Sequence, residues 1–397
     1  LANSLTAFNP AYWTPTMQET FFKESVALGI ANTELRADLK DGDTLHKPYG
    51  SYARVQTYTK GTDITVKDIS STDDYLTVST AKVASFYVDD IDGMQNKYNT
   101  IKEFAAGAMR QLNNTLDQAV FAEYSNAGTT LTGVSIGEAV GGIVMSPANT
   151  ANIFTAAGRV LNSKKRLGGE RFALIGPRML EVIQQYVGGR ETGFGDTVSD
   201  NGKVANRFGF GLRLSNNLPF TATLTTSSAI GNTETVTING VTFTFKDAAA
   251  VNAGEVYSGG SDADTTTQLV AAINGTGTPS ATTYIELSAE NRQLLEESGI
   301  VATDNTTNIG IVGYGDIVVS ETMAQAANVW SSQFQYALMG QVGAIDLVTQ
   351  VAPNVVFRDA QLRLGKYVHP WMLFGKKTFT RMRDSLVAVK FDVSAWV

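Results

Sequence analysis

The stretch FGFGLRLSNNLPF, residues 208–220, reads as a short strand that stops at an Asn pair and a proline. A segment of different composition follows it. Over residues 220–312 there are two basic residues, Lys246 and Arg292, against ten acidic ones, a local net of −8, together with nineteen threonines. The rest of the chain carries 29 basic and 28 acidic residues, so the overall net charge of −7 comes from this segment. Such a shift marks a boundary at each end.

Inside the segment, TETVTINGVTFTF is a strand pair turning at Asn239-Gly240, the strongest short hairpin signal. DADTTTQLVAAIN predicts a short helix with Asp264 or Thr265 as N-cap and a stop at Gly275. ATTYIELS reads as a strand and SAENRQLLEESG as a second capped helix. The sequence after residue 312 resumes the earlier style. The segment is therefore expected to be a small α/β guest domain, complete in itself, accepted at a loop tip and dispensable for the fold of the rest.

Outward from this corner, RFALIG (171–176) is a buried-type strand between a helix over Ala151 to Leu167 and a second helix with Pro177 in its first turn, and VGGRETGFGD (187–196) is a loop. Apolar residues from Met94 to Tyr124 recur at three- to five-residue spacing, which predicts one helix about 45 Å long, with Asp92 as N-cap and Gly128 as stop. It carries a narrow apolar stripe, as befits a spine lying along a sheet. Before it, RVQTYT, DITVKD, YLTVST and VASFYVD alternate with polar breaks, the pattern of strands and hairpins in an extended excursion. Residues 1–42, with Phe8, Tyr12 and Trp13 and a helical pattern around Glu19 to Leu39, read as an arm with little core of its own. From Asp359 onward two or three strands follow, the last built on Leu386, Val387, Val389 and Phe391.

The 397 residues, 43% hydrophobic and 17% charged, suffice for two or three folded domains. The absence of cysteine excludes disulfides and thiolate metal sites. No run of eighteen apolar residues and no charged-then-apolar leader occurs, so neither a membrane span nor a secretory signal is expected. Leu1 leaves open a processed end, an absent Met or an unusual start codon. The net negative charge argues against broad contact with nucleic-acid backbone.

The order of these elements resembles the major capsid proteins of tailed double-stranded DNA phages, the Hong Kong 97 fold. The likeness lies in the arm, a GDT-x-x-x-P turn at Gly42 to Pro48, the β excursion, the spine helix and RFALIGPRMLEVIQ. It continues through GLRLSNNLP, ALMGQVGAIDLVTQV and HPWMLFGKKTFTRMRDSLVAVK. The resemblance implies an α+β phage capsid fold: an N-terminal arm (1–50), an extended β loop (51–90), a peripheral domain with the spine helix (91–145) and an axial α/β domain (146–218 and 313–375). The inserted acidic Thr-rich domain occupies 219–312, and a closing strand (376–397) returns to the peripheral domain.

The function so implied is that of a non-enzymatic shell subunit in the virion capsid, assembled in the host cytoplasm. It would form pentamers and hexamers of an icosahedral shell around double-stranded DNA, with no cofactor. A scaffolding protein, a portal protein and possible decoration proteins are the implied partners, with weak non-specific contact to packaged DNA and no membrane contact. Some relatives join a loop lysine to an asparagine of the next subunit beside a buried carboxylate. Lys60 and Lys67 lie in the corresponding loop, with no partner matched by motif, and a loop-tip lysine is more often a solvated charge. With Trp13 and Arg190 they form the candidate assembly-interface set.

Enzyme readings find little support. His46 and His369 lack a second ligand at metal spacing, GxSxG is absent, and the Gly-rich loop lacks the Lys-Ser/Thr ending of a phosphate cradle. DDIDG (89–93) and SDADTTT (261–267) lack the ligand spacing of a calcium loop and read as caps and turns. Trp13, Trp330, Trp371 and Trp396 read as core or interface anchors. Two alternatives stand beside the capsid reading: a nanocompartment shell of the same fold, and a carbohydrate-binding adhesin or tail component, for which β repeats along the chain are expected and absent.

Overall fold

The computed structural model describes residues 23, 25–36, 42–66, 68–95, 100–164, 168–189, 206, 208–226, 230–361 and 363–395. Among the described residues of the arm, the helical pattern gives two short 3-10 turns, Ala27–Gly29 and Glu34–Arg36. Ala27, Ile30 and Ala31 are nonetheless buried, in one cluster with the spine helix and the sheets beside it. This part of the arm has its core within its own subunit.

Six short strands carry the chain to the loop and back: β1 (Thr44–His46), β2 (Tyr49–Gly50), β3 (Ser71–Thr72), β4 (Tyr75–Thr77), β5 (Thr80–Val83) and β6 (Phe86–Asp89). β1 pairs with β4 and β2 with β3, both antiparallel, and Ser51 N donates to Ser70 O at 2.8 Å. Beyond that pair, the alternating RVQTYT and the described part of DITVKD form no strand. Alternation needs a face to bury, and a lone two-stranded ribbon in water is marginal.

The predicted single spine helix is α1 (Asp90–Gln95) followed by α2 (Thr100–Phe121), which continues as a 3-10 turn over Ala122–Asn126. Asp92 is not the N-cap: helix starts at Asp90, and Asp89 Oδ1 accepts from Ile91 N at 2.9 Å. The 22 residues of α2 span about 33 Å. Gly128 follows, and a Cβ there would lie 2.7 Å from Arg383 O, closer than any side chain allows.

Next come β7 (Thr129–Leu131), β8 (Ile143–Val144), α3 (Pro147–Ser163), β9 (Arg171–Ile175), α4 (Pro177–Gly188) and β10 (Gly211–Leu214). Both α3 and α4 open on proline, whose missing N–H costs nothing in the first turn. β10 runs parallel to β9, so β9-α4-β10 is a βαβ unit built on the strand and helix that RFALIGPRMLEVIQ predicts.

The acidic segment contributes β11 (Pro219–Thr225), β12 (Thr235–Ile238), β13 (Val241–Lys246), β14 (Glu255–Tyr257), α5 (Asp262–Asn274), α6 (Ala289–Glu297), β15 (Val301–Asp304) and β16 (Asn308–Tyr314). Asn239 and Gly240 both have positive φ, 51° and 82°, as a tight hairpin turn requires. The cap of α5 is Ser261, whose Oγ accepts from Asp264 N, and not Asp264 or Thr265; Gly275 ends the helix at φ 64° as expected. ATTYIELS forms no full strand, only a bridge from Tyr284 to Val256, with Tyr257 N donating to Thr283 O at 2.8 Å and Ile285 N to Glu255 O at 2.9 Å beside it.

The chain closes with β17 (Val319–Glu321), β18 (Trp330–Gln341), β19 (Asp346–Asp359), β20 (Gly365–Lys377) and β21 (Leu386–Asp392). A nine-stranded sheet is centred on β18. β21 lines one edge of it, and β9 and β11 follow one another along the other; β10 extends from β9, β16 and β15 extend from β11, and β7 and β8 run parallel to β21. β19, β20, β5 and β6 form a second sheet with β20 in the middle.

One sequence expectation fails here. Residues 219–312 are not a module complete in itself: β11 and β16 are interior strands of the nine-stranded sheet, and β17, outside the segment, pairs with β12 inside it. One hydrophobic core runs through both. Composition changes at Phe220, but the sheet does not. The closing strand β21 lies between β18 on one side and β7 and β8 on the other; Leu386, Val387, Ala388 and Val389 are all buried, as an interior strand demands, and Leu386 shares a core cluster with Leu112, Leu116 and Phe121 of α2, on which β19 and β20 also pack.

Candidate assembly interface

The extended loop has a fixed root and a free span. At the root, Asp74 Oδ1 meets Lys377 Nζ at 2.5 Å and Asp74 Oδ2 accepts from Thr380 N at 2.9 Å. Burial pushes the Asp74 carboxyl up, but the Lys377 ammonium and Thr380 outweigh it and hold the group below its ordinary range. Arg381 donates to Gly50 O at 2.6 Å while its guanidinium lies 5.0 Å from the Tyr49 ring and 5.4 Å from that of Tyr52. A planar cation between two rings and a carbonyl fixes the direction in which the loop leaves.

Arm and loop root meet on Asp346, which is 1% exposed. Its Oδ1 accepts from Asn32 Nδ2 at 2.6 Å, and its Oδ2 faces Lys47 Nζ at 3.3 Å. Burial pushes this carboxyl up, only partly offset by Lys47. Nearby, Glu123 is buried and takes Lys376 Nζ at 2.6 Å, Asn126 Nδ2 at 2.9 Å and Thr378 N at 3.1 Å. Burial pushes Glu123 up, yet Lys376 and these donors bring it below its ordinary range. Asp117, 0% exposed on α2, accepts from Ser25 Oγ, Val26 N and Ala27 N at 2.7, 2.8 and 3.1 Å, tying the arm to the spine.

Beyond the root, the span from residue 52 outward presents Tyr52, Val55, Tyr58, Ile64, Val66 and Ile69 to solvent; Val55 is 101% exposed. The hydrogen bond from Gln56 Nε2 to Thr65 O at 3.0 Å steadies its two arms. A second exposed apolar group lies on the sheet of β5, β6, β19 and β20 and the helices beside it: Val83, Ile91, Met94, Phe104, Phe357 and Leu364.

Of the residues singled out from the sequence, Lys60 sits exposed at the tip, in the turn where Thr62 N bonds Thr59 O. Trp13, Lys67 and Arg190 lie outside the described residues. His46 Nδ1 pairs with Asp73 at 2.6 Å and His369 Nδ1 with Ser85 at 2.8 Å, so each histidine has a local structural partner. Among the described residues there is no cluster of three metal-ligating side chains, and no helix is long and apolar enough to cross a membrane. Sequence reasoning missed Asp74, Asp117, Asp346 and Arg381. The single acid in the apolar run GAIDLV was the one available signal for Asp346.

No family model matches the sequence, and no curated protein matches it. Solved structures do. A chain of Mycobacterium phage Che8 matches over 97% of this chain and 98% of its own, at 13% identity and a TM-score of 0.57. The capsid structure of the cyanophage P-SCSP1u matches over 98% and 94%, at 13% identity and 0.54. The head structure of the Helicobacter pylori bacteriophage KHP40 matches over 99% and 98%, at 9% identity and 0.53. Likeness over the full length of both partners at such low identity is a likeness of fold: the chain has the architecture of tailed-phage capsid proteins, the Hong Kong 97 type.

Proposed function

We propose that this chain is a major capsid protein, a non-enzymatic subunit whose copies form the pentamers and hexamers of an icosahedral head enclosing double-stranded DNA. One observation carries the reading beyond the fold. The loop is clamped at its root by Asp74, Lys377 and Arg381, yet its outer span exposes Val55, Tyr58, Ile64, Val66 and Ile69, which are left in solvent among the described residues. A clamped loop whose outer apolar side chains face solvent in its own subunit would have its partner in the next one, and repeated heterologous contacts of that kind close into shells.

The exposed apolar surface on β5, β6, β19 and β20 is the surface of a neighbour on which the loop would lie. The reading places the protein in the virion and implies a scaffolding protein during assembly, a portal at one vertex and packaged DNA within. The segment 226–307, fused to the main core and strongly acidic, is a buttress of each capsomer and a platform for decoration proteins.

Light scattering combined with negative-stain electron microscopy of the purified protein, alone and with its scaffold, tests this. Round shells of megadalton mass are expected. A chain that stays monomeric with scaffold present overturns the reading.

A further inference from the structure

We propose that two copies of this chain pair edge to edge through the outer end of β19, residues 354–359, as an antiparallel ladder about a twofold axis at Val356. β19 is an edge strand, with β20 along one side only. The start of its other side is taken within the subunit. Asn32 N donates to Ile345 O at 2.7 Å, Asn32 O accepts from Leu347 N at 2.9 Å, and Gln350 Nε2 donates to Gly42 O at 3.1 Å. From Val351 outward, no strand among the described residues pairs with that side.

Which backbone groups point outward follows from the hairpin. Ala360 N donates to Gly365 O at 3.0 Å, so residues 360 and 365 face each other as a hydrogen-bonded pair. Such pairs alternate along an antiparallel ladder. In the register Asp359 to Lys366, Arg358 to Tyr367, Phe357 to Val368, Val356 to His369 and Val355 to Pro370, residues 355, 357 and 359 therefore make no bond to β20. Pro370 agrees: it has no N–H to give Val355, and its O accepts from Ala84 N at 2.9 Å on the opposite side. The N–H and C=O of Val355, Phe357 and Asp359 thus point away from the sheet. Open edges are commonly blunted by lysine or proline at such positions. Here two of the three are Val355 and Phe357, the latter 56% exposed and part of the apolar group on this sheet.

The occupant is a second copy because the edge complements itself. Outward groups must meet outward groups, so a twofold axis has to pass through a residue and not between two. At Arg358 it would set two guanidinium groups against each other, and at Phe357 it would set Val355 against Asp359. At Val355 it would set Phe357 against Pro353, which has no N–H to give. At Val356 it sets Phe357 against Val355 on both sides of the axis, Val356 against itself and Arg358 against Asn354. Apolar side chains then meet apolar ones and the cation meets a neutral amide, the arrangement that stabilises cross-strand pairs. Val355 and Phe357 exchange both backbone bonds with Phe357 and Val355 of the second copy. The inference does not rest on the capsid reading, since it concerns one pair of chains.

The chain has no cysteine, so a single introduced thiol reports the register. In the purified full chain, Val356→Cys brings two sulfurs across the axis at a separation that a disulfide spans. Mild oxidation should then give a covalent dimer on a non-reducing gel. Arg358→Cys, exposed but set against Asn354, should stay a monomer under the same oxidation. Phe357→Pro added to Val356→Cys removes an outward N–H that β20 does not use, so circular dichroism should show the fold kept while the dimer is lost. A folded Val356→Cys chain that stays monomeric, or that dimerises no faster than Arg358→Cys, overturns the proposal and leaves the capsid reading standing.

Discussion

The carboxylate of Asp117 takes three donors from one short stretch of the arm, two of them backbone amides. Asp117→Ala strands those donors in a buried place and should cost about 2–4 kcal/mol, with Asp117→Asn milder because it keeps one acceptor. Urea unfolding measures the loss, and faster tryptic cleavage at Lys23 should accompany it as the arm comes away. At the loop root the sign is set by pH. The carboxyls of Asp74 and Glu123 are held below their ordinary values of 3.8 and 4.5. Their contribution to stability is therefore present above those values and disappears as pH falls through the lowered ones. The gap in unfolding midpoint between wild type and Asp74→Asn should be clear at neutral pH, about 1–2 kcal/mol, and close in acid. A gap that does not change with pH would show that Asp74 acts by packing.

Between elements, the joint that matters most runs from the spine helix to the acidic segment. Asn114 Nδ2 and Gln118 Nε2, one turn apart on α2, both donate to Glu297 O at the end of α6, at 3.1 and 3.0 Å. They satisfy a carbonyl that the helix end leaves open. Each alanine substitution should cost about 1–2 kcal/mol, and the double variant less than the sum, in a denaturation cycle. Deleting 220–312 by joining Pro219 to Gly313 should yield no soluble folded protein, since it removes β11 from beside β18 and, with it, the pairing of β16. Soluble, folded product would restore the guest-domain view. The sequence made the hairpin at Asn239-Gly240, the helix opened by Pro177, and most of the spine legible, because turn chemistry and helical period act locally; the helix expected from Ala151 begins a turn earlier, at Pro147. It concealed which sheet β11, β16 and β21 enter, because strand partnership is set by residues tens or hundreds of positions away. The composition break at Phe220 marked a change in surface, and surface composition says nothing of sheet continuity.

For the whole molecule, the division between buried core and uncovered loop makes assembly separable from folding. Val55→Asp and Val66→Asp lie on the exposed span and should leave subunit stability within about 0.5 kcal/mol of wild type while abolishing shells on electron microscopy. Loss of subunit stability to the same degree as assembly would place the loop inside the subunit's own fold. The loop was legible as an extended excursion of alternating stretches with polar breaks; its clamps were not, since Arg381 and Asp74 are more than three hundred residues apart in sequence. The placement of β21 also bears on timing during synthesis. This strand, Leu386–Asp392, separates β18 from β7 and β8, so the central sheet stays open until some 260 further residues have followed β7. A nascent chain that has already extruded its adhesive loop still lacks the middle of its main sheet. Truncated or stalled products are thereby denied a finished body, and only a chain translated through residue 392 can compete for a place in a lattice.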